Sequence, residues 1–105
     1  MKPNNKTTDN SGNQPADDFY SDFRRKLEQA HSFPTQYMFK FIVPSEQSVI
    51  ARLYAIFDDS AADISTRDSK NGKYISISTK VQVNDPDDVI IYYRQAAAIE
   101  GVVML

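Results

Sequence analysis

No cysteine occurs among the 105 residues, which excludes disulfides and thiolate metal sites and suits a reducing compartment. Histidine occurs once, as His31, so neither a histidine-based metal set nor a Ser/His/Asp arrangement can be assembled on firm spacing. Long apolar runs are missing too: no stretch approaches the roughly 20 residues that span a bilayer. Met1 to Asp18 carries neither an apolar segment nor a basic-then-apolar leader. Basic excess is the last absence. Twelve Lys and Arg stand against 14 Asp and Glu, a formal net charge of −2, whereas a dedicated DNA binder neutralises phosphates with a clear surplus of cations. The expectation is a soluble, cytoplasmic protein with no membrane segment and no cofactor.

What is present, 41% hydrophobic and 25% charged side chains, is enough for one core and one domain. Residues 1–18 are rich in Asn, Thr, Asp, Ser, Gly, Gln and Pro and cannot bury enough surface to offset their ordering entropy, so they read as a disordered tail. From Phe19 the pattern changes. Phe19, Phe23 and Leu27 recur at four-residue intervals, and Asp22 and Lys26 form an i,i+4 pair, which predicts an amphipathic helix within residues 19–32, laid against the main domain and ending near His31. Phe33-Pro34 breaks it, because proline disfavours helical geometry in the residue before it.

Gln36 to Val43 sets Tyr37, Phe39, Phe41 and Val43 against Met38, Lys40 and Ile42, the two-residue period of a strand with one buried face. Pro44-Ser45 then opens a helix to about Phe57, with Ser45 as N-cap and Val49, Ile50, Leu53, Ile56 and Phe57 facing the core. Asp58 to Ala61 links it to a strand over Ala62 to Ser69, with Ile64 and Thr66 inward. Asn71-Gly72 predicts a two-residue hairpin with positive φ at both central positions. Counting outward sets Asp68 opposite Ile75, Arg67 opposite Ser76, Thr66 opposite Ile77, Ser65 opposite Ser78, Ile64 opposite Thr79 and Asp63 opposite Lys80, the last a complementary charge pair. Asp85-Pro86-Asp87-Asp88 starts a second core helix, with Asp as N-cap and Pro at its first position. Its apolar face is Val89, Tyr92, Tyr93, Ala96, Ala97 and Ile99, and Gly101 is its C′ stop before a closing strand, Val102 to Leu105.

Strand, helix, strand, strand, helix, strand with one internal hairpin is the ferredoxin-like βαββαβ arrangement, an α+β two-layer sandwich over residues 33–105. Right-handed crossovers place the first and third strands at the centre of an antiparallel four-stranded sheet and the second and fourth at its edges. Phe33-Pro34 before a strand carrying Lys40, Ser69 with Gly72-Lys73-Tyr74 and Ser76 in the hairpin, and the terminal Gly101-Val102-Val103-Met104-Leu105 together resemble the YbeD-like family of small bacterial proteins, over roughly Leu27 to Leu105. The resemblance implies a ferredoxin-like fold similar to the regulatory ACT domains of amino-acid metabolic enzymes, and it implies no particular activity.

Candidate chemistry is sparse. His31 beside a helix end is explained by the macrodipole. Asp58, Asp59 and Asp63 lack calcium-loop spacing, and Asp85, Asp87 and Asp88 are accounted for as a cap, so no metal site is expected. An acylphosphatase would need a glycine-rich loop with an arginine after the first strand. Here the turn is Val43-Pro44-Ser45-Glu46-Gln47-Ser48, which also lacks the glycine common in ACT ligand sites.

The surface of most interest is the sheet face away from the two core helices, where Lys40, Arg67, Tyr74, Ser76, Ser78 and Lys80 gather beside Met38 and Ile42. Exposed charged residues need no special function, so a merely solvated face is the competing reading. The expectation is a non-enzymatic regulatory or adaptor domain that binds a protein partner or small metabolite, with a homodimer formed through a sheet edge or this face, or cover by the first helix, as further forms of contact. The alternative is an RNA-binding module using Lys40, Arg67, Tyr74 and Lys80. Tyr74 is the one convincing aromatic there, whereas RNA-recognition sheets stack bases on aromatics of both central strands, so nucleic acid is the weaker reading.

Overall fold

A computed structural model describes residues 15–58 and 60–105, with side chains from residue 18 onward. The chain divides into two units, Met1–Ser32 and Phe33–Leu105. The first contains helix α1, Pro15–Ala30. It starts four residues before the Phe19 inferred from apolar spacing, because proline suits a first helical turn and the acidic Asp18 follows it near the positive end of the dipole. The expected disordered tail is thus helical over residues 15–18, and residues 1–14 lie outside the described residues. Asp22 pairs with Lys26 at 3.2 Å and also with Arg25. The hydrogen bond from Lys26 holds the Asp22 carboxyl below its ordinary value, with Arg25 adding to the effect.

In the second unit β1 is Thr35–Pro44, α2 Gln47–Ile56, β2 Asp63–Asp68, β3 Tyr74–Val83, α3 Pro86–Ala97 and β4 Val103–Met104. The sheet order is β2-β3-β1-β4, with antiparallel pairing throughout. Helix α2 packs on β1, α3 packs on β3, and the two helices touch. This is the ferredoxin-like two-layer sandwich, with β1 and β3 central as the crossover rule requires. The core lies between sheet and helices. Phe39, Phe41 and Val43 of β1 meet Ile77, Val81 and Val83 of β3, Leu53 and Phe57 from the α2 side, and Val89, Ile90 and Ala96 of α3. Phe57 stacks on Tyr92 at a centroid distance of 4.9 Å, which ties the two helical segments to each other.

The β2–β3 register agrees with the count outward from the turn at all six pairs. The turn itself differs. Asn71 does not adopt the positive φ of the expected two-residue turn; Gly72 alone does, at φ 72°, and its N–H donates to the Ser69 carbonyl at 3.0 Å. Side chains replace the missing geometry: Asn71 Oδ1 accepts from Ser69 Oγ and from Lys73 N–H, both at 3.0 Å, and Ser69 Oγ accepts from Tyr74 N–H at 3.1 Å. Ser69 therefore leaves the strand to close the turn. Thr66 shares the inner face by register but is exposed, because β2 is the edge of the sheet.

Two helix ends also depart from expectation. Ser45 is not the cap of α2: its N–H donates to Lys73 carbonyl at 2.9 Å, extending the β1–β3 ladder, and Glu46 takes the N-cap position without a side-chain cap bond. Gly101 is not directly at the end of α3 either. Ala98 is the C-cap, a further turn follows, and Gly101 comes after it at φ +94°, where a β-carbon would stand 3.2 Å from Pro44 Cγ.

At the other end of α3 the expectation holds: Asp85 accepts from Asp88 N–H at 3.1 Å, and Asp88 in return accepts from Asn84 N–H at 2.8 Å. Asp85→Ala therefore lowers stability by roughly 0.5–2 kcal/mol. Chemical denaturation of both proteins measures this, and coincident midpoints would remove the cap from the account.

Candidate interaction face

Alternation along the strands turns every second side chain away from the helices, and the observed registers arrange those side chains in rows. The first row across the sheet is Asp63, Lys80 and Met38. Ser65, Ser78 and Lys40 form the second, and Leu105 joins it through its N–H, which donates to the Lys40 carbonyl at 3.0 Å. Arg67, Ser76, Ile42 and Val103 make the third, and Tyr74 beside Pro44 closes the face. All six residues singled out from sequence, Lys40, Arg67, Tyr74, Ser76, Ser78 and Lys80, share this one face.

Its apolar content is larger than the sequence reading held. Met38 is 47% exposed, Tyr74 50%, Val103 56% and Leu105 76%. Val103 and Leu105 escaped notice because β4 is only two residues long and its period is too short to assign a face. Their signal lay instead in the pairing of Ile42 with Val103, which only the folded sheet supplies. Near Tyr74 the face dips into an open depression of about 330 Å³ lined by Ile42, Arg67, Asp68, Ser69, Tyr74 and Ser76.

Charge on the face is unneutralised locally. Lys40 and Arg67 have no ion pair among the described residues. Asp63 and Lys80 form the expected cross-strand pair, directly opposite in register, and no ion pair joins their exposed side chains, each of which water solvates as well as its neighbour would.

Elsewhere, Tyr37 lies on the inner side of β1, where burial raises its phenol above the ordinary tyrosine value and Tyr93 adds a smaller push in the same direction. A second depression of about 370 Å³ opens on the helical side, between Ile56 and Ser60 on one hand and Gln82, Asn84, Asp88, Ile91, Tyr92 and Gln95 on the other. Among the described residues no three His, Asp or Glu side chains converge to hold a metal ion, and no helix is long and apolar enough to cross a membrane.

Comparison with known proteins agrees with this chain's YbeD-like motifs. Residues 28–105 match the model of a family described as a protein of unknown function, DUF493. A UPF0250 protein of Shewanella baltica is 31% identical over 80 residues, covering 73% of this chain and 91% of the relative. Similar matches are a UPF0250 protein of Shewanella putrefaciens, 30% identical over 80 residues with the same coverage, and one of Shewanella amazonensis, 31% identical over 79 residues, 72% of this chain and 90% of the relative. No solved structure matches significantly. The chain belongs to the DUF493 family of small bacterial proteins, the group to which its YbeD-like motifs pointed.

Proposed function

We propose that this chain is a non-enzymatic adaptor or regulatory domain that binds a protein partner through the sheet face away from its core helices. One observation carries the reading: exposed Met38, Tyr74, Val103 and Leu105 stand on the same face as Lys40 and Arg67, which have no ion pair among the described residues. Apolar anchors amid cations and hydroxyls match the make-up of a protein interface, where buried apolar groups supply affinity and surrounding charges supply orientation. A small metabolite is less well supported, since the depression beside Tyr74 is open and an enclosing site normally covers most of its ligand. RNA is less well supported again, with one exposed aromatic ring on the face where base stacking needs several.

The test compares the tagged protein with Met38→Glu and Tyr74→Ala on the face and Arg52→Ala on α2, in capture from native lysate followed by titration of the purified partner. The expected result is a protein partner that survives nuclease treatment, binds the Arg52→Ala variant as it binds the parent, and binds each face variant about tenfold or more weakly. Equal binding by the face variants would overturn the use of this face. Loss of every partner on nuclease treatment would favour RNA.

A further inference from the structure

Strand β2 is an edge of the sheet, and its outward backbone is open. Ser69 N–H donates to the Tyr74 carbonyl at 2.9 Å, so in the alternating ladder the odd-numbered residues 63, 65 and 67 bond to β3. The N–H and C=O groups of Ile64, Thr66 and Asp68 consequently point away from the sheet, and none has a partner among the described residues. Natural edges are commonly blocked by charged side chains, above all lysine, by proline, by bulges or by a covering element. The edge Asp63-Ile64-Ser65-Thr66-Arg67-Asp68 has neither lysine nor proline; Asp63 and Arg67 stand on the open face at equal distances on either side of Ser65, and Asp68 ends the strand on the opposite face. The Asp63 and Arg67 side chains are exposed, and neither has an ion pair among the described residues.

That spacing is complementary to itself. We propose that β2 pairs antiparallel with β2 of a second copy of this chain, on a two-fold axis through Ser65. Ser65 then faces its own counterpart, and Ile64 and Thr66 exchange backbone hydrogen bonds across the axis. Asp63 of each copy stands directly opposite Arg67 of the other. Only registers that pair outward-facing residues with outward-facing residues can form bonds, which limits the axis to one residue at a time. An axis through Asp63 or Arg67 sets like charges face to face. An axis through Ile64 or Thr66 leaves Asp63 opposite a serine. The Ser65 axis alone opposes both charge pairs, and a two-fold interface counts each contact twice.

The product is one continuous antiparallel sheet of eight strands, made from two sheets of four. Residues opposed across the axis lie on the same side, so all four core helices lie on one side and the two open faces form one doubled surface on the other. This pairing rests on the β2 edge and stands whether or not the open face binds a protein.

Sedimentation equilibrium of the full chain, from micromolar to low-millimolar concentration, tests the pairing with two charge reversals. Asp63→Arg sets Arg against Arg67 of the other copy, and Arg67→Asp sets Asp against Asp63. The parent chain is expected to dimerise, and each variant alone to dimerise about tenfold or more weakly. An equimolar mixture of the two variants regains dimers, because in the mixed pair both opposed positions carry opposite charges. Recovery in the mixture also shows that each variant is folded. A parent that stays monomeric, single variants that dimerise like the parent, or a mixture that stays monomeric would each overturn the proposal.

Discussion

Phe41→Ala lowers the unfolding free energy by about 3–5 kcal/mol. Phe41 is fully buried at the crossing of three strands, opposite Ile77 of β3 and Met104 of β4. Its ring lies 6.1 Å from those of Phe39 and Phe57. Truncation would remove most of a phenyl ring from a site whose walls are strands hydrogen-bonded on both sides, so collapse into the cavity is limited and the cavity cost adds to the transfer cost. Small domains have only about 5–15 kcal/mol of total stability, so the variant sits near the limit of folding. Urea denaturation followed by circular dichroism measures the loss. Phe41→Leu, which keeps most of the volume, should cost markedly less, and a loss under about 1 kcal/mol in the alanine variant would contradict the packing described.

Thr79→Val has the opposite sign and raises stability by about 1–3 kcal/mol. Thr79 is the buried polar residue of the core face of β3, between Ile64 of β2 and Phe39 of β1, and its hydroxyl has no hydrogen-bond partner among the described residues. A buried hydroxyl without a partner keeps the cost of leaving water and gains nothing in return. Valine keeps the β-branched shape that suits a strand and replaces the hydroxyl with a methyl in an apolar site. An upward shift of the denaturation midpoint with an unchanged slope is the expected observation. A destabilised variant would mean that the Thr79 hydroxyl is hydrogen-bonded in solution.

Most of the fold was legible because its strongest signals are local. The period of Tyr37 to Val43, the register from the Asn71-Gly72 turn and the Asp85 cap each depend on residues within a few positions of one another, and each appears in the structure as read. The errors arose where a distant partner decides. Ser45 reads as a cap by type, but Lys73 on β3 claims its N–H. Gly101 reads as a helix stop, and its small size is demanded by Pro44 at the far end of β1. Asn71-Gly72 specified the register correctly through a turn of another type, because Ser69 and Asn71 close the loop with side-chain bonds. For the candidate site, all six named residues fall on one face, while Val103 and Leu105 became visible only when β4 took its place beside β1. A two-residue strand has no periodicity to read.

Strand β1 carries two inheritances on one backbone. Its odd positions, among them Phe39, Phe41 and Val43, answer to the core, and its even positions Met38, Lys40 and Ile42 answer to whatever meets the open face. Substitutions at the even positions can rewrite that surface without disturbing the core. An insertion or deletion of one residue within the strand would exchange the two sets and lose both. Related chains are therefore free to diverge in what they touch by point change, but not by change of length, along this stretch.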